Sequence, residues 1–310
     1  MNTMTDEDRT RALEVLCRRQ RIWRSSLFRV LRHPLRTGYP TPSRLRRWRR
    51  IGHSVQVQAP TPWGQRMTVT LPDDVSVFLH RNGFFEYELS AFYLRFLRRG
   101  MTFVDIGAHM GYFSMLASRA VGRTGRVLAF EPTPSTFGVL MANTGTEHNV
   151  TQVNKAAWSE TSTLALHDYG PCFSAFNSFF DPRLPDSDKA RLSDRTHLVP
   201  AVRLDDFVRD EGCVPDAVKI DAESAELHVL DGMRQLLSGP RPVLSIEVGD
   251  MGVPDAPRSR EVVDKVLSFD YRAFEMRDGR VLPHQVREEY DYENILFAPA
   301  ERSHVMTGMS

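Results

Sequence analysis

Apolar positions along the chain follow two periods that alternate with one another. From residue 100 onward, short apolar runs typical of buried strands are separated by segments whose apolar residues recur every three or four positions, as on one helix face. This alternation predicts an α/β fold in which a seven-stranded, mostly parallel sheet carries helices on both faces. The predicted strands are 101–106, 126–131, 150–158, 216–220, 242–248, 271–276 and 293–298. The predicted helices between them are 111–121, 134–148, 204–211, 224–237 and 258–268.

Three further regions lie outside this alternation. Residues 53–80 contain two strand-like segments on either side of a Trp-Gly turn, which predicts a β-hairpin. Residues 84–99 are predicted to form a helix that leads into the sheet. Residues 159–203 contain several proline-bearing turns and little helical period, so we expect an inserted region that shapes a substrate pocket. The expected units are therefore a small hairpin with its lead-in helix at 53–99 and a main domain at 100–300.

The first 52 residues form a basic N-terminal extension. A helix is predicted over 9–33 and is ended by Pro34. A looser basic stretch follows, and we expect Pro40 and Pro42 to break it. Residues 1–50 hold fourteen arginines, no lysine and four acidic residues, a net charge of +10, so the rest of the chain carries about −9.

Three interpretations of this extension remain open. The favoured one is an amphipathic helix that packs on the core or on a second subunit, which leaves a homo-oligomer as an alternative. Attachment to an anionic membrane surface or to an acidic carrier protein comes next. Nucleic-acid binding is third, because the rest of the chain is acidic and shows no basic face.

The turn after the first strand of the main domain carries the strongest chemical signal. Asp105 near the strand end is followed by Gly107 and Gly111, and Glu131 closes the next strand. Glycines let the backbone turn sharply and approach a ligand, and an acid in the position of Glu131 can accept both ribose hydroxyls. The third glycine of the dinucleotide pattern and the lysine of phosphate-binding loops are absent, and Asp105 would repel a phosphate. A Rossmann-like site for a cationic nucleoside such as S-adenosylmethionine is predicted.

Acidic residues stand at the ends of four predicted strands: Asp105, Glu131, Asp221 and Glu247. Because parallel strands end at one edge of a sheet, we expect these side chains to meet there. Packing alone does not explain four carboxylates, since each would be costly to bury without a partner. The alternative is a purely structural role, in which two or three of these residues cap the following helices or stay solvated.

The glycine turn resembles motif I of class I S-adenosylmethionine-dependent methyltransferases, and in detail the FkbM family. Two departures from that family are His109, where asparagine is usual, and Ser224, where glycine is usual. The resemblance covers roughly residues 84–299 and rests on five blocks in the family's order: 105–108 with 111–112, 129–132, 204–207, 218–226 and 294–297.

The resemblance implies an O-methyltransferase that uses S-adenosylmethionine on a hydroxyl of a sugar, polyketide or other secondary metabolite. The acceptor is expected to be a small molecule, either glycosylated or carrier-bound. Two rivals stay open: a methyltransferase for a nitrogen or nucleic-acid acceptor, although nucleic acid is disfavoured, and a non-catalytic scaffold that binds the cofactor.

Candidate site residues follow from these positions. The candidates for cofactor binding are Asp105, Gly107, Ala108, His109, Gly111, Glu131, Pro132, Ala156 and Asp221. The candidates for catalysis are Asp221, Glu223, Glu247 and His109. An alcohol acceptor needs a general base or a divalent metal to lose its proton, and the three acids would suit the oxygen-binding ion Mg²⁺, which stays an alternative. His109 is either a base or a hydrogen-bonding loop residue. For Glu86 a solvated helix start is favoured, and a cofactor or acceptor role stays open.

Three cysteines that are far apart and in no metal spacing indicate a reducing compartment. No apolar run approaches the length of a membrane span, and the acidic start is wrong for a signal peptide. These features predict a cytoplasmic protein without a transmembrane segment.

Overall fold

The computed structural model describes residues 3–25, 40–180, 195–250 and 257–307. Strands and helices are numbered in chain order. The strands are β1 (Val55–Pro60), β2 (Arg66–Leu71), β3 (Thr102–Ile106), β4 (Arg126–Phe130), β5 (Val150–Val153), β6 (Ala156–Ala157), β7 (Ser162–Asp168), β8 (Arg195–Val202), β9 (Ala217–Ile220), β10 (Val243–Val248), β11 (Tyr271–Arg277), β12 (Arg280–Pro283) and β13 (Glu293–Pro299). The helices are α1 (Asp6–Arg24), α2 (Pro42–Arg50), α3 (Asp74–Asn82), α4 (Tyr87–Phe96), α5 (Tyr112–Val121), α6 (Pro134–Thr144), α7 (Leu204–Asp210), α8 (Glu226–Asp231), α9 (Arg234–Ser238), α10 (Ser259–Leu267) and α11 (His304–Thr307).

In the described part of the chain, the central sheet has eight strands in the order β12-β11-β13-β10-β9-β3-β4-β5. The five strands from β10 to β5 run parallel, and β13, β11 and β12 pair antiparallel at the other end. The chain moves outward from β3 in one direction to β4 and β5, and in the other direction to β9 and β10. The strand order therefore reverses between β3 and β9, where open α/β sheets bind their ligands.

Successive residues of the central strands point to opposite faces of the sheet, and each face packs into a separate apolar core. On β3, Phe103 belongs to the core that includes α1, α4, α5 and α6, and Val104 belongs to the core that includes α7 to α10. Both side chains are fully buried. This confirms the predicted α/β fold with helices on both faces of a mostly parallel sheet.

Several element boundaries differ from the predictions. The eighth strand, β12, continues the chain after the Asp278-Gly279 turn and pairs with β11. The predicted strand 150–158 divides into β5 of the central sheet and β6, which joins β7 and β8 in a separate three-stranded sheet. The predicted helix 224–237 is broken into α8 and α9 at Gly232, where a Cβ would lie 1.9 Å from the Trp158 carbonyl oxygen. Gly232 thus belongs to a close backbone contact that periodicity cannot reveal.

Two helices begin where strands or a break were predicted. Helix α3 begins inside the segment 53–80, which was predicted to hold short strands, and ends at Asn82; the Asp73 side chain caps it by accepting a hydrogen bond from Ser76 N. Helix α2 starts at Pro42, which was predicted to interrupt the chain, with Thr41 as its cap. A proline at the first helical position does not destabilise the helix, because a backbone N–H at that position has no acceptor within the helix.

Helix α1 begins at Asp6 and ends at Arg24, whereas the prediction ran from 9 to 33; residues 26–33 and Pro34 lie outside the described residues. Leu16 on its inner face is fully buried, and the helix packs on α4. Arginines also attach it to the core, since Arg9 donates to Leu94 O and Arg19 donates to Gly83 O. This helix thus packs on the core of its own chain, and association through the extension stays a prediction.

Among the described helices, none combines the length and the apolar character that crossing a membrane requires.

Candidate active site

The loop after β3 is shaped by a backbone contact with the end of β9. Gly107 has φ +73°, and a Cβ at this position would lie 1.7 Å from the Asp221 carbonyl oxygen. Gly111, with φ +89°, is the residue before the first turn of α5. From the sequence we predicted that the missing glycine side chains let the backbone approach a ligand. At Gly107 the missing side chain makes room for the Asp221 carbonyl group.

Glu131, after the end of β4, holds this loop in place. The side chain is 6% exposed, and its two oxygens accept hydrogen bonds from His109 N at 3.0 Å and Thr133 N at 2.8 Å. Burial raises the pKa of Glu131, while the nearby His109 and these backbone donors act in the opposite direction. The carboxylate therefore joins the loop after β3 to the chain after β4 at the edge of the cavity described below.

Lys219, on β9, is buried among acidic side chains. Its Nζ lies 2.7 Å from Asp221 Oδ2, 3.9 Å from Asp105 Oδ1 and 5.3 Å from the ring centre of Phe113. Burial alone disfavours the ammonium group, but Asp221, Asp105 and Glu86 together raise the pKa of Lys219 above its ordinary value. The lysine is therefore a permanent cation beneath the site.

Protons are distributed unequally among the surrounding acids. Burial raises the pKa of Glu247 well above its ordinary value, and the charges of Asp221 and Glu223 add to the shift. Burial acts in the same direction on Asp221, but Lys219 and a hydrogen bond from Glu247 outweigh it and lower that pKa. Of the two, Glu247 therefore holds a proton more readily, and Asp221 carries a negative charge more readily. Tyr292 Oη donates to Glu247 Oε2 at 2.7 Å.

Glu86, in the turn before α4, extends this acidic group. Burial raises its pKa to about 7, with Lys219 acting in the opposite direction. One of its carboxylate oxygens is buried and has no hydrogen-bond partner among the described residues. The favoured solvated helix start is therefore not observed for this oxygen: Glu86 lines the cavity, and its charge interacts with that of Lys219.

A cavity of 410 Å³ connects the glycine loop with the acidic group. It is lined by the loop after β3, by residues 131–133, by residues 155–157 and by the acidic group with its neighbour, which are Asp221, Glu223, Glu247, Glu86 and Tyr292. The remaining walls come from residues 174–177, 74–75 and 85 and from several apolar side chains. Its volume is near the lower end of the range for small-molecule sites, about 300–1,000 Å³.

His109 lies in the cavity wall with φ +51° and is part of a hydrogen-bonded chain. Its Nε2 is 2.9 Å from Ser174 Oγ, which donates to Asp73 Oδ1 at 3.3 Å. A hydroxyl has only one hydrogen to donate, so with that hydrogen directed to Asp73 the imidazole must donate from Nε2. In this arrangement Nε2 cannot serve as a proton acceptor.

Residues 105–273, more than half of the chain, match the family description "Methyltransferase FkbM domain". The chain belongs to the FkbM methyltransferase family. The resemblance predicted from the five sequence blocks is thereby confirmed.

Similar solved structures include three methyltransferase-fold proteins. Methyltransferase FkbM from Methylobacillus flagellatus KT is 20% identical over 74% of this chain, with a TM-score of 0.43, and the match spans 56% of that protein's length. Aeropyrum pernix fibrillarin with natively bound S-adenosyl-L-methionine is 14% identical over 68% of this chain and 74% of its own, with a TM-score of 0.38. The O-methyltransferase TomG from Streptomyces achromogenes is 18% identical over 68% of this chain and 78% of its own, with a TM-score of 0.37. No curated protein compared with the chain matches it.

Most predicted site residues of this FkbM-family chain line the cavity. They are Gly107, Ala108, His109, Glu131, Pro132, Ala156, Asp221, Glu223 and Glu247. Asp105 and Gly111 lie behind the wall: Asp105 is fully buried and accepts a hydrogen bond from Ser114 Oγ at 2.6 Å. Asp221, Glu223 and Glu247 each bring a carboxylate oxygen within 4.8 Å of the others, as the metal alternative requires.

Four residues of the site were not predicted: Lys219, Tyr292, Asp73 and Ser174. For Lys219 a signal existed, because a lysine inside the apolar run of β9 stands two positions before Asp221 and so points to the same side of the strand. For the other three, no local pattern separates them from surface residues, and only the tertiary fold brings them to the cavity.

We expect Gly107→Ala to destabilise the protein by about 3 kcal/mol or more, because the added Cβ meets a backbone oxygen and φ is left-handed. The matched control is Gly138→Ala on α6, where a Cβ meets nothing within 4 Å and where alanine should stabilise the helix by about 0.5–1 kcal/mol. Urea unfolding measures both. Equal small effects would contradict the close contact with Asp221.

Lys219→Met should cost about 3–5 kcal/mol of unfolding free energy near neutral pH, because it leaves buried carboxylates without their cation. The folded-state pKa values of those carboxyl groups would then rise above the unfolded ones. Stability should therefore be largest below the unfolded pKa and fall as pH rises from about 4 to 8. Lys265→Met, which removes a partly exposed pair with Asp231, should cost about 1 kcal/mol or less. A pH-independent loss at Lys219 would contradict this account.

Proposed function

We propose that the protein is an S-adenosylmethionine-dependent O-methyltransferase acting on a hydroxyl of a sugar, polyketide or other secondary metabolite. The observation that carries the proposal is the single cavity that joins the glycine loop and Glu131 to the acids around Lys219. Family membership supports the methyl-transfer chemistry. The hydroxyl acceptor and its chemical class rest on the resemblance to the family.

The cavity has features that suit a cationic nucleoside. Glu131 stands where a carboxylate can accept ribose hydroxyls, with Pro132 and Ala156 beside it. Glu86, from the turn before α4, lines the same cavity with its carboxyl group. An ammonium or sulfonium group is favoured in such surroundings. When bound, the cofactor would supply an electrophilic methyl group.

Activation of the acceptor is the step that the acidic residues would perform. A hydroxyl is a poor nucleophile until a base removes its proton, and a base is most effective when its pKa is near the working pH. Asp221 has a lowered pKa and is a weak base, whereas Glu247 has a raised pKa and would bind the proton more strongly once ionised. We therefore assign proton removal to Glu247, with Asp221 and Tyr292 orienting it. Glu223 would bind the acceptor.

Mg²⁺ is the alternative route to an activated hydroxyl. The oxygens of Asp221, Glu223 and Glu247 have suitable chemistry and spacing for it. However, the ammonium group of Lys219 already lies 2.7 Å from Asp221 Oδ2 and competes with a metal ion for that oxygen. The described groups thus favour activation by a base, and the mechanism above uses no metal.

Binding of S-adenosylmethionine is the first test. Wild-type protein should bind it in titration calorimetry, and Glu131→Gln should weaken binding by about tenfold or more, because an amide cannot accept from both backbone donors. Glu160→Gln, at an exposed acid on the surface, is the matched control and should bind like wild type. Wild-type protein without affinity for the cofactor would refute the proposal.

Turnover is the second test, measured as transfer of a labelled methyl group to metabolite extract from a strain that lacks the protein. Asp221→Asn and Glu247→Gln should each reduce the rate by about a hundredfold or more while leaving cofactor affinity near that of wild type. The wild-type rate should rise with pH as Glu247 loses its proton, and Glu247→Gln should remove this rise.

Three outcomes separate the alternatives. Loss of activity with a chelator, and its recovery with Mg²⁺, would assign activation to the metal. Labelling of nucleic acid or of an amine would move the acceptor to another class. Cofactor binding without labelling of any acceptor pool would favour a scaffold protein over an enzyme.

A further inference from the structure

We infer that the outward side of helix α2 is a docking surface for an anionic membrane. The surface consists of Arg44, Arg46, Arg47 and Arg50, called the arginine face below, together with Ile51 at the end of the helix. The surface lies beside the cavity, and the importance of that position rests on the proposed methyl transfer. Membrane binding itself does not depend on the proposed function.

The inward side of α2 is already occupied by contacts with the core. Leu45 is 7% exposed, and the guanidinium of Arg49 donates to Pro72 O at 3.0 and 2.7 Å and pairs with Asp74. The ring of Phe173 lies 5.9 Å from the same guanidinium carbon. These contacts hold the helix in place, so the arginine face is not needed for that purpose.

The arginine face is exposed and concentrates charge of one sign. Its four side chains form no ion pair with acidic residues in the described part of the chain, and residues 40–66 contain no acidic residue at all. Arg46 and Arg50 are four positions apart, and Arg47 is three positions from both Arg44 and Arg50. Like charges at these spacings destabilise a helix by about 0.2–0.5 kcal/mol per pair. The helix dipole stabilises positive charge in the last turn of the helix. Arg44 and Arg46 lie before that turn and are not stabilised in this way.

Helix α2 stands at the rim of the cavity. Asp74, which pairs with Arg49, lines the cavity and keeps 58% of its side chain exposed, so it marks the edge. Phe173 precedes Ser174, another lining residue. With a volume of 410 Å³, the cavity can enclose a nucleoside and the reacting part of an acceptor but little more. The rest of a larger acceptor would therefore lie along this rim.

An anionic lipid surface fits this face better than other polyanions because of Ile51. Its side chain is 60% exposed directly after Arg50, and Trp48 on the same helix is half-buried. Guanidinium groups pair with lipid phosphates at about 1 kcal/mol each near the surface, while an adjacent apolar side chain gains free energy by entering the acyl boundary. Nucleic acid or an acidic protein would pair with the arginines but would offer no acyl-chain region for the Ile51 side chain to enter.

The test is co-sedimentation of the full chain with vesicles of phosphatidylglycerol and phosphatidylcholine, compared with phosphatidylcholine alone. We expect binding only to the anionic vesicles, weakened by rising salt. Replacing the arginine face with glutamine should reduce binding by about tenfold or more. A matched variant replaces Arg99, Arg123, Arg195 and Arg272, which are exposed and outside the helix, and removes the same four charges. It should bind almost like wild type.

Two further measurements keep the inference open to refutation. Ile51→Ser should weaken vesicle binding severalfold at fixed salt without changing the salt dependence, because it removes only the apolar contact. Cofactor titration of every variant should match wild type, which separates this surface from the proposed active site. Equal losses in the two arginine variants, or retention on nucleic acid with no vesicle binding, would overturn the inference.

Discussion

The buried ion pair between Lys219 and Asp221 is the interaction on which the site depends. The ammonium stands 2.7 Å from Asp221 and also faces Asp105 on the neighbouring strand, at the point where the strand order of the sheet reverses. Acids gathered at such an edge would repel one another in a medium of low dielectric constant. The cation below them lowers the pKa of Asp221, while burial and the charge of Asp221 raise the pKa of Glu247, so the two neighbouring carboxyl groups differ in how readily they hold a proton.

Periodicity predicted the central sheet because its parallel strands are buried on both faces and appear as uninterrupted apolar runs. The same runs showed where Asp221 and Glu247 would meet. Helix starts were harder to predict. Pro42 breaks a helix in most positions and begins one here, and α3 depends on a cap by Asp73 that the preceding strand pattern conceals. The break at Gly232 depends on a backbone contact with a residue more than seventy positions away.

The site was predictable to the extent that its residues follow strands. Glu131 and Asp221 directly follow β4 and β9, and Glu247 is the second-to-last residue of β10, so topology alone brings them to one edge. Glu86 and Tyr292 come from a turn and a loop far apart in the chain, and only the packing of α4 on the sheet and the pairing of β13 within it bring them together. Such placement is a property of the tertiary structure, which a single sequence does not display.

The contact between Gly107 and the Asp221 carbonyl has a mechanical consequence. The loop that would hold the cofactor and the segment that would activate the acceptor touch backbone to backbone, so neither can shift without the other. The positions of these two segments are therefore coupled, and in the proposed methyl transfer this coupling would help to align the reacting atoms. Changes that accommodate a different acceptor would then be expected in residues 174–177, which line the cavity and do not belong to the central sheet.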